Sequence, residues 1–278
     1  MTLRLAGPFT HDNGDCPYLP ARQWAADYLL AAGDVEVPPY GDLPVLGSTF
    51  DNPTVRLTQA TPLPRDRGAQ EEPMDGLEVF ERLLSTGFRR AGRLFYRPDC
   101  DACAECVSLR VDVDRFTPSG DQRRALRKNR DVAVEIALPS YNEEKRALYA
   151  RFLHARYPDR EGVTPEEYTG FMVASLGNTR EMHYRVGGRL VGVGIVDLTR
   201  HAASSVYFFF DPDHSKRSLG TYSALREIDF CRQSGRQWLY MGFRITACQA
   251  MQYKARYRPH QLLDPHRGWV DAAEASGP

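Results

Sequence analysis

No stretch of this sequence approaches the ~20 uninterrupted apolar residues needed to cross a bilayer, so a helical membrane span is excluded. An excess of charge of one sign is missing too: 36 Lys and Arg stand against 36 Asp and Glu, for a formal net charge of zero. The molecule as a whole exerts no general pull on polyanions, and any nucleic-acid site must be local. The N-terminal run MTLRLAGPFTHDNGDC lacks the long apolar core of a secretory leader, which points to a reducing cytoplasm. The six cysteines are then expected as thiols or metal ligands, not disulfides. No Ser or Cys nucleophile stands in a recognisable triad pattern either.

What is present suits an ordinary globular chain, at 42% hydrophobic and 26% charged residues. Its 278 residues are more comfortable in two units than in one. The expected division is an N-terminal unit over 1–135, a C-terminal unit over 136–270 and a short tail over 271–278. In the first unit, PARQWAADYLLAAG reads as a short helix ending at Gly33, and residues 34–73 form a Pro-rich, poorly periodic insertion. A helix follows over Asp75 to Ser85. VSLRVDVDRF then alternates as a strand, with Val107, Leu109, Val111 and Val113 on one face.

The second unit opens with a helix that turns Leu148, Phe152 and Leu153 inward, and a further helical segment starts at Thr164-Pro165. MHYRV, a Gly187-Gly188 turn, RLVGVGIVDL and SSVYFFF read as a three-strand meander. A helix from Leu219 to Ser234 and the strand QWLYMGF complete it. The predicted class is α+β, with the strand–helix–strand order of GNAT-like acyltransferases.

Cys100, Cys103 and Cys106 recur at successive spacings of three, close enough for a curled loop to present them to one metal. Cys16 is the remaining cysteine of the N-terminal half and is the expected fourth ligand. Zinc is the economical assignment, with an iron–sulfur cluster as the alternative. Cys231 falls on the apolar face of its helix with Leu225 and Ile228, where a packed core thiol is expected.

Two segments are locally basic: GFRRAGRLFYRP, with Arg89, Arg90, Arg93 and Arg97, and DQRRALRKNRD, with Arg123, Arg124, Arg127, Lys128 and Arg130. The second makes a broad positive strip when helical. A GNAT enzyme binds the CoA pyrophosphate with a turn like (Arg/Gln)-x-x-Gly-x-(Gly/Ala), and here that turn reads Arg217-Ser-Leu-Gly220-Thr-Tyr222. A tyrosine at the last position is expected to obstruct the pyrophosphate. Further on, Tyr253, Lys254, Arg256, Tyr257 and Arg258 crowd into six residues, a mixture with no simple core period that reads as a binding surface.

CPYLP at 16–20, GFRRAGRLFYRP at 87–98, CxxCxxCVSLRV at 100–111 and the run from Gln122 to Asn129 resemble the arginyl-tRNA-protein transferase family, including its bacterial aspartate/glutamate leucyltransferase branch. So do SSVYFFFDPD at 204–213, LGTYSALREI at 219–228 and the stretch from YMGF to Pro259. The resemblance implies transfer of leucine, or arginine, from an aminoacyl-tRNA to the α-amine of proteins beginning with Asp or Glu, marking them for degradation. Candidates for the reaction centre are Tyr207, Asp211, Tyr222, Glu227, Tyr253 and Lys254. Arg256 and Tyr257 are expected on the tRNA acceptor end, Arg123, Arg124 and Lys128 on its phosphates, and Arg89, Arg90 and Arg97 on the acidic first side chain of the acceptor. Arg244 departs from the family's usual aromatic residue after MGF; a buried cation there would favour leucine over arginine as donor. The competing readings are an acetyl-CoA-dependent N-acetyltransferase and a non-catalytic zinc-containing RNA-binding protein.

Overall fold

The computed structural model describes residues 4–20, 22–32, 43–44, 54–55, 76–101, 103–160, 162–174 and 178–274. Strands β1 (Arg4–Asp15) and β2 (Gln23–Ala32) pair antiparallel, and β3 (Leu43–Pro44) pairs with β4 (Thr54–Val55). The rest of the Pro-rich insertion lies outside the described residues. Helix α1 (Gly76–Ser85) leads into the hairpin β5 (Arg89–Ala91) and β6 (Leu94–Pro98), giving a four-stranded sheet of order β1-β2-β6-β5.

The helix expected over PARQWAADYLLAAG is therefore a strand. Its buried residues Trp24, Ala26 and Tyr28 recur every second position, the period of a strand. Pairing with β1 on one side and β6 on the other outweighs the helical preference of its Ala and Leu residues.

The remaining elements are β7 (Val107–Asp112), α2 (Gly120–Lys128), β8 (Val132–Ala137), α3 (Glu143–Arg156), α4 (Pro165–Tyr168), β9 (Thr179–Val186), β10 (Arg189–Leu198), β11 (Ala202–Phe210), α5 (Leu219–Gln233), β12 (Trp238–Arg244), α6 (Gln249–Gln252), β13 (His260–Asp264) and β14 (Gly268–Asp271). A capping box of Ser119 and Gln122 starts α2, and Thr164 with Glu167 starts α4, where Pro165 occupies the first turn as expected. The second sheet has eight strands in the order β14-β13-β7-β12-β11-β10-β9-β8. It takes β7 from before residue 136, β8 across it and the meander β9-β10-β11 from after it.

Tyr222, Leu225, Ile228 and Cys231 of α5 pack with Val111, Val191 and Leu239 in one core. Leu148 and Leu153 of α3, with Tyr168, pack with Val193, Ile195 and Phe209 in another. Successive strand residues point to opposite faces, so α5 and α3 hold the sheet between them. Each fully buried aliphatic side chain contributes about 1.5–3 kcal/mol, and Ile228→Ala would cost about 2–5 kcal/mol. Cys231 is the core thiol that the helical spacing indicated.

Candidate functional site

β11 and β12 are the parallel neighbours of the large sheet, and their ladder is short. It pairs Ala202 with Trp238, Ala203 with Leu239 and Ser204 with Tyr240. β11 nevertheless runs on to Phe210 and β12 to Arg244, so the two strands part and leave a fork in the sheet. An irregularity marks each arm. Opposite β10, Ile195 pairs with Tyr207 and Val196 with Ser205, leaving Val206 as an extra residue. Opposite β7, Arg110 pairs with Tyr240 and Leu109 with Gly242, leaving Met241 extra. Bulges of this kind re-aim side chains and end pairing.

Two cations fill the fork. Arg89, from the small sheet, donates from Nη2 to the Ser205 carbonyl at 2.5 Å on one arm. Lys254 donates from Nζ to the Phe243 carbonyl at 2.9 Å on the other. Gly242 lies between them with φ +83°, and a Cβ there would stand 3.3 Å from Lys254 Nζ and 3.6 Å from Arg89 Nε and Nη2. Glycine meets both demands, the left-handed backbone and the close approach of two charged groups. Burial lowers the pKa of both cations, and Lys254, with Arg89 as its next largest influence, is brought down to about 7.

Glu227 reaches the same place from α5. It is 1% exposed, and burial raises its carboxyl to about 7 against the opposing pull of Ser205, Ser223 and Arg89. Oε1 accepts from Ser223 Oγ at 3.3 Å, and Ser223 in turn accepts from Tyr184 OH at 3.1 Å. Glu227 Oε2 and Arg89 Nη1 are both buried without a hydrogen-bond partner. Such groups are rare in a folded core because each costs its full desolvation penalty. Tyr253, 41% exposed, interacts electrostatically with both Glu227 and Arg89 and stands at the rim. On the small-sheet side Tyr18 and Tyr96 act on Arg89, and Tyr96 packs edge-on against Phe243 at 6.1 Å.

Of the residues singled out from the sequence, Glu227, Tyr253, Lys254 and Arg89 are brought together. The others are elsewhere. Tyr207 packs into the α3 core against Tyr149 at 5.8 Å and Phe171 at 5.2 Å, its phenol turned away from the fork by the bulge at Val206. Asp211 ends β11 as an anchor bonded to Arg151 at 2.8 Å and Arg189 at 2.7 Å. Burial raises its pKa, yet the Asp213 N–H and the two arginines outweigh this and hold it below the usual range.

Tyr222 faces the core, its ring 6.0 Å from that of Tyr184, so it does not obstruct the turn at Arg217–Gly220. Tyr257 is 1% exposed and stacks on Phe116, a core residue and not a surface one. Arg90 spends its donors on Asp197, Gly92, Ala174 and Thr179, and Arg97 pairs with Asp27 at 2.7 Å. Arg244 is half-buried at the end of β12 and donates to Thr246 Oγ1 at 3.2 Å, so it is no buried cation in a donor pocket.

Arg123, Arg124 and Lys128 are exposed on α2, as is Arg256 beyond the fork. Gln122 of α2 donates to the Arg256 carbonyl at 3.3 Å, which joins the basic helix to the turn that carries Lys254. Sequence reasoning missed Ser205, Ser223, Tyr18 and Tyr96. Gly242 inside an otherwise continuous strand pattern is the one signal that pointed to the bulge.

All six cysteines are free thiols. Cys16, Cys100 and Cys106 pack around the Trp24 cluster, and Cys103 joins Cys16 and Cys106 around Phe243. The Ala25 N–H donates to Cys100 Sγ at 3.3 Å and Arg22 to Cys103 Sγ at 2.9 Å. Burial, then Cys16, Cys100 and Cys103, raise the Cys106 thiol to about 12. Among the described residues, no group of three or more His, Cys, Asp or Glu is arranged to hold a metal ion, and no helix is long and apolar enough to cross a membrane.

Residues 14–124 match the family described as arginine-tRNA-protein transferase, N terminus, and residues 144–264 its C terminus. A relative from Aeromonas salmonicida named aspartate/glutamate leucyltransferase is 42% identical over 188 residues, covering 66% of this chain and 78% of its own length. One of the same name from Saccharophagus degradans is 38% identical over 188 residues, covering 66% of this chain and 80% of its own. Among solved structures, the C-terminal domain of a putative lysylphosphatidylglycerol synthetase from Agrobacterium fabrum is 14% identical over 70% of this chain and 63% of that one, with a TM-score of 0.43. A tandem GNAT protein from the clavulanic acid biosynthesis pathway is 12% identical over 90% and 80%, with a TM-score of 0.38. Matched in both halves, and similar to relatives over about four-fifths of their length, this chain belongs to the arginine-tRNA-protein transferase family.

Proposed function

We propose that this protein moves leucine from leucyl-tRNA to the α-amine of proteins that begin with Asp or Glu, and that the transfer takes place in the fork between β11 and β12. The observation that carries this reading is the buried trio of Glu227, Arg89 and Lys254, in which one carboxylate oxygen and one guanidinium nitrogen have no partner. An aminoacyl ester is already activated, so the site must only align an amine with the ester carbonyl and stabilise the oxyanion.

The amine nitrogen attacks the carbonyl carbon, forming the new amide bond. The bond to the tRNA ribose oxygen breaks, and that oxygen leaves with a proton. Glu227, raised to about 7 by burial, accepts the proton lost by the attacking amine and returns it to the leaving ribose oxygen. Lys254 Nζ donates to the developing oxyanion. Free α-amines have a pKa of about 7.7–8.0, so a usable fraction is neutral near pH 7. No covalent enzyme intermediate is required. The exposed arginines of α2 and Arg256 offer phosphate contacts that lead to the fork.

Cys16, Cys100, Cys103 and Cys106 are proposed to hold a zinc ion, with an iron–sulfur cluster as the alternative. Four soft sulfurs suit such an ion, and the Arg22 guanidinium at Cys103 suits a thiolate; the described residues do not gather the thiols into a metal-holding group, so the ion would have to draw them together. The ion would tie the loop carrying Tyr18 to β6 and β7.

The experiment is direct: leucyl-tRNA, arginyl-tRNA and acetyl-CoA are each offered with peptides beginning Asp, Glu or Lys. Leucine transfer to Asp and Glu peptides is expected. Acetyl transfer independent of tRNA would overturn the reading.

A further inference from the structure

We infer that Arg89 Nη1 and Glu227 Oε2 form a two-point reader for the first residue of the acceptor protein, Arg89 taking the side-chain carboxylate and Glu227 the α-amine. The inference rests on the proposed transfer and adds which groups choose its substrate.

Among the described residues, the other buried side-chain atoms without a partner belong to Asn129, Tyr168, Asn178, Tyr207 and His214. Arg89 Nη1 and Glu227 Oε2 differ from these in being a formal cation and a formal anion that act on one another. Arg89 is 7% exposed and Glu227 1% exposed. Each leaves one hydrogen-bonding position open while another is held: Arg89 Nη2 by the Ser205 carbonyl, Glu227 Oε1 by Ser223. They face the fork from opposite directions, one from the small sheet and one from α5. The missing partners are thus one acceptor with negative charge and one donor with positive charge.

A chain end beginning with Asp supplies that pair, with amine and carboxylate on neighbouring carbons, and Glu adds one methylene. Asn keeps the amine but offers Arg89 only a neutral carbonyl, and Lys would bring a third cation beside Arg89 and Lys254. Charge-assisted contacts in a desolvated site discriminate strongly, because a wrong ligand leaves a buried charge unmet.

The test measures kcat/KM for leucine transfer to peptides identical except for a first residue of Asp, Asn or Lys. The native protein should favour Asp over Asn on the order of 100-fold. Arg89→Gln, and separately Arg89→Lys, should bring that ratio close to one in the glutamine variant and well below the native value in the lysine variant, with leucyl-tRNA binding by filter assay unchanged. The native protein gives a second readout that depends on no variant: Asp peptide should compete for transfer at least ~10-fold better than Asn peptide or N-acetylated Asp peptide. A full Asp-over-Asn preference in a folded Arg89→Gln protein, or equal competition by the three peptides, would overturn the inference. Failure of the native protein to use leucyl-tRNA with any peptide would instead remove the proposed transfer itself.

Discussion

Arg89 and Arg90 are neighbours on β5, both buried, and they lead to opposite kinds of charged centre. Arg90 meets Asp197 at 2.5 Å and 2.8 Å, and its remaining donors go to Gly92, Ala174 and Thr179. Neither side chain of that pair is exposed. Arg89 meets one carbonyl and keeps Nη1 unpaired beside a carboxylate that is also unsatisfied. The alternation of a strand sends one arginine into a closed knot and the other into the fork. A buried charge by itself indicates neither stability nor function; what separates the two centres is whether the hydrogen bonds are complete.

The largest expected effect falls on the closed knot. Asp197→Ala leaves Arg90 buried and unpaired and should cost about 3–5 kcal/mol of stability, read by denaturant unfolding. The activity of the molecules that remain folded should be near native. Glu227→Gln is the converse: stability near native, and kcat/KM for transfer lower by about 10²–10³-fold. If the two variants exchange these phenotypes, the contrast between the centres is wrong.

Lys254→Met comes next, with transfer reduced on the order of 100-fold and stability at pH 7 unchanged or higher. The sign follows from the shift. Lys254 is lowered from 10.5 to about 7, so between those values the unfolded chain binds a proton that the folded chain does not. Its cost to stability is full below about 7 and fades as pH rises to 10.5. Glu227 acts in the other sense: raised from 4.5 to about 7, it stabilises fully below 4.5, and that contribution is gone above 7. Transfer needs Glu227 ionised and Lys254 protonated, so kcat/KM should trace a narrow bell near pH 7. Glu227→Gln should move the acid limb toward the acceptor amine's own pKa of about 7.7–8.0.

Cys103→Ser should abolish binding of about one metal ion per chain, measured by elemental analysis, while leaving Glu227 in place. The smallest effect is expected on α2. Arg123→Ala or Arg124→Ala should weaken tRNA binding modestly and reduce the slope of log affinity against log salt by about 1 each.

Helix α5 and strands β9 to β12 were legible in the sequence because their apolar periods are unbroken and their turns are short. Glu227 and Lys254 were legible as chemistry but not as neighbours, since a helix and a turn 27 positions apart meet only through the fold. Arg89, Arg90 and Arg97 were indistinguishable as letters; strand direction and the presence of Asp197 and Asp27 separate them. β2 was misread because its sequence suits a helix and its pairing partners lie far along the chain. Tyr222 was assigned to a phosphate turn by position, whereas its side chain turns inward with Leu225 and Ile228.

The fork as the place of transfer is tested most directly by single-turnover transfer of radiolabelled leucine from leucyl-tRNA to an Asp-initiated peptide, comparing native protein with Glu227→Gln at pH 7. The account expects transfer by the native protein and a rate lower by about 10²–10³-fold in the variant, with leucyl-tRNA binding retained. Equal rates in the two proteins would place the chemistry elsewhere and contradict it.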